Sequence, residues 1–219
     1  AGSLVNPELL TLTKPGCEVH DSAKLTLEEV IALIERAERE GKTTVRLHTG
    51  DPSIYGAVRE QFDALTERGV GFDVCPGVSS FCGAAAAIPA EYTPAEVSQT
   101  LIITRMAGRT PVPEQENLRA LASHRASMTL FLSVSMLKDV CAELTAGGYP
   151  EDTPVAVVYK ATWPEQEVAR GTLADIAEKA AHIKKTALIL VGDFRREMDK
   201  RSKLYDPAFP HACREAETP

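Results

Sequence analysis

Residues 48–56, which read HTGDPSIYG, constrain the fold of this chain more than any other segment. They follow residues 45–47, which begin and end with the apolar Val45 and Leu47, and predict a strand, a tight turn and the start of a helix. Gly50 allows the backbone to approach a bound molecule closely, and Asp51 offers a fixed carboxylate. Pro52 sets φ near the helical value. The segment predicts either a ligand-binding turn or an ordinary strand-to-helix connection capped by Asp51.

The composition is that of a folded protein, because 44% of the 219 residues are apolar and 25% are charged. No apolar run approaches the roughly 20 residues of a membrane span, and the start of the sequence does not resemble a signal peptide. We therefore expect a cytoplasmic protein with no membrane partner. The net charge of −7 argues against nucleic-acid binding, which needs a basic face.

The five cysteines and five histidines are widely spread and show neither a C-x-x-C pair nor metal-ligand spacing. The sequence therefore predicts neither a disulfide framework nor a metal site.

Short apolar runs alternate with longer helical patterns, which predicts an α/β fold. The predicted strands are residues 44–48, 71–75, 100–104, 128–133, 155–160 and 187–191. The predicted helices are residues 27–40, 56–68, 79–87, 113–124, 135–146 and 173–181. Two prolines interrupt the pattern near Val97, where we place a domain boundary. The resulting division is an N-terminal αβα domain of residues 1–96, a C-terminal αβα domain of residues 97–194 and an irregular tail of residues 195–219.

Two further segments with chemical potential follow predicted strands. Residues 75–80 (CPGVSS) carry Ser79 and Ser80, whose hydroxyls are placed either to cap a helix or to bind a ligand. Residues 104–114 (TRMAGRTPVPE) carry Arg105 and Arg109 on a loop. A guanidinium matches a carboxylate, so this loop predicts binding of an anionic substrate; the alternative is two solvated surface arginines.

Residues 157–166 (VVYKATWPEQ) hold Lys160 and the single tryptophan, Trp163. The tryptophan is either a packing residue or an anchor for a flat ligand. All four segments follow strands, and the carboxyl ends of strands are where open α/β sheets bind ligands.

Taken in order, these segments resemble the tetrapyrrole methylases, the S-adenosylmethionine-dependent methyltransferases of corrin and sirohaem biosynthesis. The resemblance runs from residue 2 to about residue 192. It implies two αβα domains with the cofactor in a cleft between them, usually in a homodimer. Family members begin with a strand, a G-x-G-P-G-D turn and a helix that are missing here, so we expect this sequence to be part of a longer chain.

The resemblance also implies site residues. The positions matching cofactor contacts are Thr49, Gly50, Asp51, Ile54, Ser79, Ser80, Leu132, Ala161, Ala187 and Leu188. Our hypothesis for the acetate and propionate groups of a tetrapyrrole substrate is binding by Arg105, Arg109, Lys160 and His48, with Arg46 as a further candidate. The expected reaction is an in-line displacement at the sulfonium methyl, which yields S-adenosylhomocysteine and needs no covalent enzyme intermediate. The sequence identifies no catalytic proton acceptor.

Several alternatives stay open. Within the family, the alternatives to methylation of a corrin ring at C11 are methylation of a different carbon of that ring and a methylase that resembles diphthine synthase or acts on ribosomal RNA. From other classes, it is either a non-catalytic S-adenosylmethionine-binding partner or an enzyme that binds a nucleotide phosphate at the Gly50 turn. Asp51 argues against the last, because a carboxylate repels phosphate.

Overall fold

The computed structural model describes residues 1–193, 202, 205–210 and 212–215. Contacts between residues divide the chain into two compact units, Ala1–Cys82 and Gly83–Pro219. The division falls inside helix α3 (Ser80–Ala87). The boundary expected near residue 97 stays a prediction, and most of the expected irregular tail lies outside the described residues.

The first unit contains helices α1 (Leu27–Arg39) and α2 (Arg59–Glu67), the start of α3, and two short 3-10 helices, Pro7–Leu12 and Ser22–Lys24. Helix α1 begins at a capping box: the Glu29 amide donates to the Thr26 hydroxyl over 3.3 Å, and the Thr26 amide donates to the Glu29 carboxylate over 2.7 Å. A small buried cluster joins the two helices and consists of Val30, Ile31, Ile34 and Leu65.

Two predicted strands of the first unit, residues 44–48 and 71–75, are wrong. Neither segment pairs with another strand anywhere in the part of the chain that the structure describes. An extended apolar segment becomes a strand only when a neighbour satisfies its amides and carbonyls. The side chains of residues 71–75 accordingly stay in solvent, with Val74 51% exposed, and in the first segment Val45 is 75% exposed while residues 46–48 are half-buried.

The second unit is built around a mixed five-stranded sheet in the order β1-β2-β5-β3-β4. Strands β1 and β2 are parallel, and every other neighbouring pair is antiparallel. The strands are β1 (Leu101–Arg105), β2 (Ser127–Phe131), β3 (Pro154–Tyr159), β4 (Glu167–Thr172) and β5 (Ala187–Val191). The other helices of this unit are α4 (Leu118–Ala122), α5 (Leu137–Ala146) and α6 (Ile176–Lys179).

The core of the second unit lies where the sheet meets these helices. Its fully buried members include Met128 and Leu130 of β2, Val157 of β3, and Val140 and Leu144 of α5. Complete burial of such side chains contributes about 1.5–3 kcal/mol each. The core therefore fixes the central strands, and with them the edge of the sheet where β1, β2 and β3 end.

The α/β class is confirmed, and so are four predicted strands, with small shifts at their ends. The sequence analysis missed β4 because its sequence, EVARGT, is mostly polar. An edge strand pairs on one side only and does not need an apolar run.

Three predicted helices are shorter than expected. Residues 56–58 are not helical, because α2 begins at Arg59. Residues 113–124 form a 3-10 turn, Glu114–Glu116, followed by α4, which begins afresh where the Asn117 side chain caps the Ala120 amide over 2.8 Å. Of residues 173–181, only Ile176–Lys179 are helical. Among the described residues, no helix is both long and apolar enough to cross a bilayer.

The hydroxyl of Thr129, in the middle of β2, is fully buried and has no hydrogen-bond partner among the residues that the structure describes. We predict that Thr129→Val raises the free energy of unfolding by about 1 kcal/mol, because an unpaired buried hydroxyl carries an uncompensated desolvation cost. Urea denaturation measures the change. Ser127→Ala is the control and should lower the free energy of unfolding, since the Ser127 hydroxyl donates to the Tyr92 carbonyl over 2.5 Å. A Thr129→Val protein less stable than the parent would contradict the prediction.

Candidate functional site

In the first unit, the Gly50 turn lies directly against the start of helix α3. Gly50 has a φ of +64°, a conformation that glycine adopts without strain. A Cβ atom at this position would lie 3.0 Å from the Ser80 amide nitrogen and 3.2 Å from the Ser79 Cα. A side chain at this position would be strained and would press on the backbone of Ser79 and Ser80, so the turn favours glycine. The predicted close approach of this backbone to a bound molecule stays a prediction.

Gly77 meets the same turn from the other side. A Cβ atom on Gly77 would lie 2.1 Å from the Gly50 carbonyl oxygen, which is far inside van der Waals contact. The Gly77 amide donates to Asp51 Oδ2 over 2.7 Å. Two turns that are distant in sequence are thus joined, backbone against backbone, by two glycines and one carboxylate. The sequence analysis did not single out Gly77, because a glycine after proline is common in turns.

Asp51 is not the cap of a helix, because α2 begins only at Arg59. Its other oxygen, Oδ1, accepts hydrogen bonds from the hydroxyl of Ser53 and from the Ser53 amide, the latter over 2.9 Å. The Ser53 hydroxyl, followed by the Gly77 and Ser53 amides, holds the pKa of the Asp51 carboxyl below its ordinary value. Asp51 is therefore ionised at neutral pH and ties the two turns together.

The other predicted residues of this unit surround the joined turns. Thr49 is exposed, Ile54 and Ser80 are half-buried, and Ser79 is buried. The Ile54 amide donates to the Asp51 carbonyl over 3.3 Å, which closes the turn. Thr49, Gly50, Asp51, Ile54, Ser79 and Ser80 are thus brought together.

His48 and Arg46 precede the turn and are both half-buried. Arg46 Nε donates to the Gln61 side-chain oxygen over 2.9 Å. Burial lowers the pKa of the Arg46 guanidinium, and burial together with the Arg46 charge lowers the pKa of the His48 imidazole. His48 is therefore mostly neutral at pH 7, and it offers a hydrogen-bond donor and an acceptor rather than a positive charge.

In the second unit, one edge of the sheet collects the remaining predicted residues. Strands β1, β2 and β3 end at this edge and β5 begins there, since Arg105 pairs with Phe131 and Tyr159 pairs with Ala187. The residues at or just beyond this edge are Arg105, Leu132, Lys160, Ala161, Ala187 and Leu188. Segments 104–114 and 157–166 therefore follow strands, as predicted, whereas segments 48–56 and 75–80 do not follow a strand in the part of the chain that the structure describes.

The chain turns sharply after β2. Leu132 has a φ of +53° and is 60% exposed, which is unusual for a large apolar residue. The next residue, Ser133, is buried; its hydroxyl donates to the Phe131 carbonyl over 2.7 Å and accepts from the Met106 amide over 2.8 Å. Ser133 therefore links the ends of β1 and β2, a role that the sequence did not reveal.

Lys160, just after β3, is held in place by aromatic rings. Its ammonium nitrogen lies 4.7 Å from the centre of the Trp163 ring and 5.6 Å from that of Tyr159, distances at which cation–π attraction acts. Glu165 Oε2 lies 3.5 Å from the same nitrogen. The tryptophan thus positions a cation at this edge, and its role as an anchor for a flat ligand stays a prediction.

The loop after Lys160 is closed by its own hydrogen bonds and covered by helix α3. Thr162 has a φ of +72°, and its amide donates to the Gln166 side-chain oxygen over 2.8 Å. A Cβ atom on Gly83 of α3 would lie 3.1 Å from Thr162 Cγ2 and 3.7 Å from the Ala161 Cβ. Ala161 therefore lies in a fixed loop.

Ala187 and Leu188 begin β5 opposite the end of β3. Ala187 is half-buried, whereas Leu188 is 6% exposed and lies in the core. The Leu188 side chain is therefore committed to packing, and only its backbone remains for a ligand.

The two loop arginines differ from each other. The Arg105 guanidinium donates to three carbonyls of its own loop: Pro111 over 2.6 Å, Thr110 over 3.1 Å and Met106 over 3.4 Å. Arg109 is exposed and, within the residues that the structure describes, makes no hydrogen bond or ion pair. Only Arg109 presents an uncommitted guanidinium.

Comparisons with known proteins place this geometry in context. Residues 2–177 match the family model described as Tetrapyrrole (Corrin/Porphyrin) Methylases. A cobalt-precorrin-4 C(11)-methyltransferase from Methanocaldococcus jannaschii is 52% identical over 219 residues, which covers 99% of this chain and 85% of that protein.

Solved structures of tetrapyrrole methyltransferases have a similar fold. A cobalamin biosynthetic enzyme, cobalt precorrin-4 methyltransferase, is 47% identical and has a TM-score of 0.84 over 87% of this chain and 80% of that chain. The uroporphyrin-III C-methyl transferase from Thermus thermophilus, solved in complex with S-adenyl homocysteine, is 24% identical with a TM-score of 0.72, over 88% of this chain and 84% of that chain. The latter likeness supports the fold alone.

We predict that Gly77→Ala lowers the free energy of unfolding by about 1–3 kcal/mol, because its Cβ collides with the Gly50 carbonyl and the two turns must separate. Gly71→Ala is the matched control, since a Cβ there meets nothing within 4 Å; its expected effect is about 0.5 kcal/mol or less. Thermal and urea denaturation measure both. Equal stability of the two variants would show that the turns are not in contact.

The lowered pKa of Asp51 predicts a dependence on pH. A carboxyl whose pKa is depressed on folding stabilises the folded state above its ordinary value of 3.8, and this contribution is lost as the pH falls through the lowered folded pKa. The parent protein should therefore exceed Asp51→Asn in stability at about pH 6, and the difference should shrink towards about pH 3. Urea denaturation at a series of pH values measures it. A difference that does not change with pH would show that ionisation of Asp51 is irrelevant to the turn.

Proposed function

We propose a function for this chain from one premise: it belongs to the tetrapyrrole methylase family. The chain transfers the methyl group of S-adenosylmethionine to a ring carbon of a corrin precursor in cobalamin biosynthesis. The target is C11 of cobalt-precorrin-4, and the runner-up substrate is the cobalt-free precorrin-4. The single observation that carries this proposal is the match, over almost the whole chain, to the cobalt-precorrin-4 C(11)-methyltransferase of Methanocaldococcus jannaschii.

The joined turns of the first unit fit part of the methyl donor. Gly50 and Gly77 bring the backbones of the two turns close together, and turns without side chains at such positions suit a ligand held by main-chain amides and carbonyls. Thr49, Ile54 and the hydroxyls of Ser79 and Ser80 are the nearby groups that we assign to S-adenosylmethionine. Asp51 fixes the turn, and its negative charge favours a ligand that carries positive charge.

The sheet edge of the second unit supplies further contacts. We assign Leu132 and Ala161 to the cofactor through their exposed or half-buried positions at the ends of β2 and β3. Ala187 and Leu188 contribute through the backbone that begins β5. Leu132 is exposed and has a positive φ angle, and strained backbone conformations of this kind are concentrated at ligand sites.

The substrate's acetate and propionate groups call for cations at the same edge. Arg109 offers an uncommitted guanidinium, and Lys160 offers an ammonium held by Trp163 and paired with the exposed carboxylate of Glu165. A substrate carboxylate replaces Glu165 on Lys160 without leaving a buried charge unpaired, because Glu165 is 62% exposed. His48, mostly neutral, remains a candidate for a hydrogen bond.

The reaction breaks the bond between sulfur and methyl and forms a bond between that methyl and C11. S-adenosylmethionine supplies an electrophilic methyl on a positively charged sulfur. The residues of this chain hold the nucleophilic carbon, the methyl and the sulfur in line and exclude water from them. The donor leaves as S-adenosylhomocysteine. The resemblance to the family also leads us to propose a cytoplasmic homodimer, which analytical ultracentrifugation tests.

Mass spectrometry of reactions with purified cobalt-precorrin-4 and precorrin-4 tests the function directly. We expect the first substrate to gain one methyl group, and NMR with carbon-13-labelled methyl donor to place it at C11. A methyl group on another carbon would assign the chain to a different ring position. Binding of S-adenosylhomocysteine in calorimetry without turnover of either substrate would instead support the non-catalytic reading.

We predict that Arg109→Ala raises the KM for the tetrapyrrole about tenfold, because one charge-assisted contact with a carboxylate is lost. The affinity for S-adenosylhomocysteine should not change. Arg39→Ala is the matched control, since Arg39 is an exposed arginine at the end of α1. Steady-state kinetics and calorimetry provide the two readouts. An unchanged KM in Arg109→Ala would remove Arg109 from the substrate site.

A further inference from the structure

We propose that Arg105 is a positioning residue: its guanidinium holds residues 106–111 in the shape that presents Arg109 to the carboxylates of the tetrapyrrole. This inference rests on the proposed function, which makes Arg109 a substrate ligand. It differs from the expectation that both arginines bind substrate directly.

The Arg105 guanidinium contacts carbonyls at both ends of the loop. The Met106 carbonyl lies at the start of the loop, whereas those of Thr110 and Pro111 lie at its end. One guanidinium therefore closes the loop by joining its two ends. Inside the loop, the Gly108 amide donates to the Thr110 carbonyl over 3.2 Å, which tightens the tip where Arg109 lies.

The base of this closure is rigid. Arg105 is the last residue of β1 and pairs in register with Phe131 of β2. The amide of the following residue, Met106, donates to the buried Ser133 hydroxyl. Because the anchor is part of the sheet, the shape that Arg105 imposes on the loop is transmitted to Arg109.

Direct binding of substrate by Arg105 would have a cost that Arg109 does not incur. Turning the Arg105 guanidinium towards a carboxylate would break its three hydrogen bonds to loop carbonyls and leave the Thr110 carbonyl with the Gly108 amide alone. Arg109 is already exposed and, among the described residues, has no partner to release. The two arginines therefore have different roles: Arg105 shapes the loop, and Arg109 contacts the substrate.

The chemistry of the side chain makes this division testable. Arginine presents several N–H donors in a planar fork, which serves several carbonyls at once, whereas lysine is a compact point charge on a flexible stem. Arg105→Lys keeps the positive charge but loses the planar set of N–H donors. If Arg105 acts on the substrate through its charge, the lysine variant should keep the parental KM. If Arg105 shapes the loop, the lysine variant should not.

The experiment is a double-mutant cycle on the full chain with Arg105→Ala, Arg105→Lys, Arg109→Ala and the Arg105→Ala/Arg109→Ala pair. We expect each single variant to raise the KM for the tetrapyrrole about tenfold. The double variant should be no worse than Arg109→Ala alone, because without Arg109 the shape of the loop no longer matters to the substrate. The kcat and the affinity for S-adenosylhomocysteine should change less than twofold.

Hydrogen exchange at the Gly108 amide supplies a readout that does not need turnover. Exchange should be faster in Arg105→Ala and Arg105→Lys than in the parent, and unchanged in Arg109→Ala. Thermal denaturation shows whether Arg105→Ala folds. If it folds poorly, Arg105→Lys and Arg105→Gln replace it in the same measurements.

Three results would overturn the proposal: a parental KM in Arg105→Lys, a double variant whose KM increase is the product of the two single increases, or Gly108 exchange unaffected by every Arg105 variant. If the parent methylates no tetrapyrrole, the proposed function fails separately, and hydrogen exchange still decides whether Arg105 shapes the loop.

Discussion

The candidate site of the first unit depends on one constraint: two turns touch where neither carries a side chain. Gly50 and Gly77 bring their backbones to a separation that any Cβ atom would prevent, and the Asp51 carboxylate holds them together. Because the hydrogen bonds of Asp51 reach both turns, it fixes their relative position and the surface that Ser79 and Ser80 share with them. A pair of flexible loops becomes a preformed surface, which reduces the entropy that binding must overcome.

In the second unit, the strand topology forms the preformed surface. Strands β1, β2 and β3 end at one edge although β3 is not next to β2, because β5 runs between them in the opposite direction. The sheet therefore gathers three loops and the start of β5. Non-glycine residues after β2 and β3, namely Leu132, Lys160 and Thr162, have positive φ angles. Each such conformation costs on the order of 1 kcal/mol or more and persists only where surrounding contacts enforce it.

The sequence predicted much of this and missed the rest for identifiable reasons. Glycine and proline mark turns whatever the tertiary structure is, so the turn at Gly50 was predictable, whereas its contact with Ser79 and Ser80 was not. Apolar runs marked the buried strands, but β4 is a polar edge strand and left no such signal. Segments 44–48 and 71–75 show the converse: their composition favours strands, yet pairing depends on a neighbour that the segments themselves do not encode. Asp51 resembled a helix cap because it precedes a proline, whereas one of its oxygens accepts from Ser53 in its own turn and the other accepts from Gly77 in a turn far away in sequence.

The loop that Arg105 closes has a consequence for how such a protein changes over time. The bonds that close it are formed within one short stretch of chain, and the Met106 amide ties its start to Ser133. At its tip, a Cβ atom on Gly108 would lie 3.3 Å from Met136 Cε. A replacement at position 108 must therefore displace Met136, whereas the exposed positions 107 and 109 can change at little cost to the stability of the sheet and so alter which anions the loop accepts.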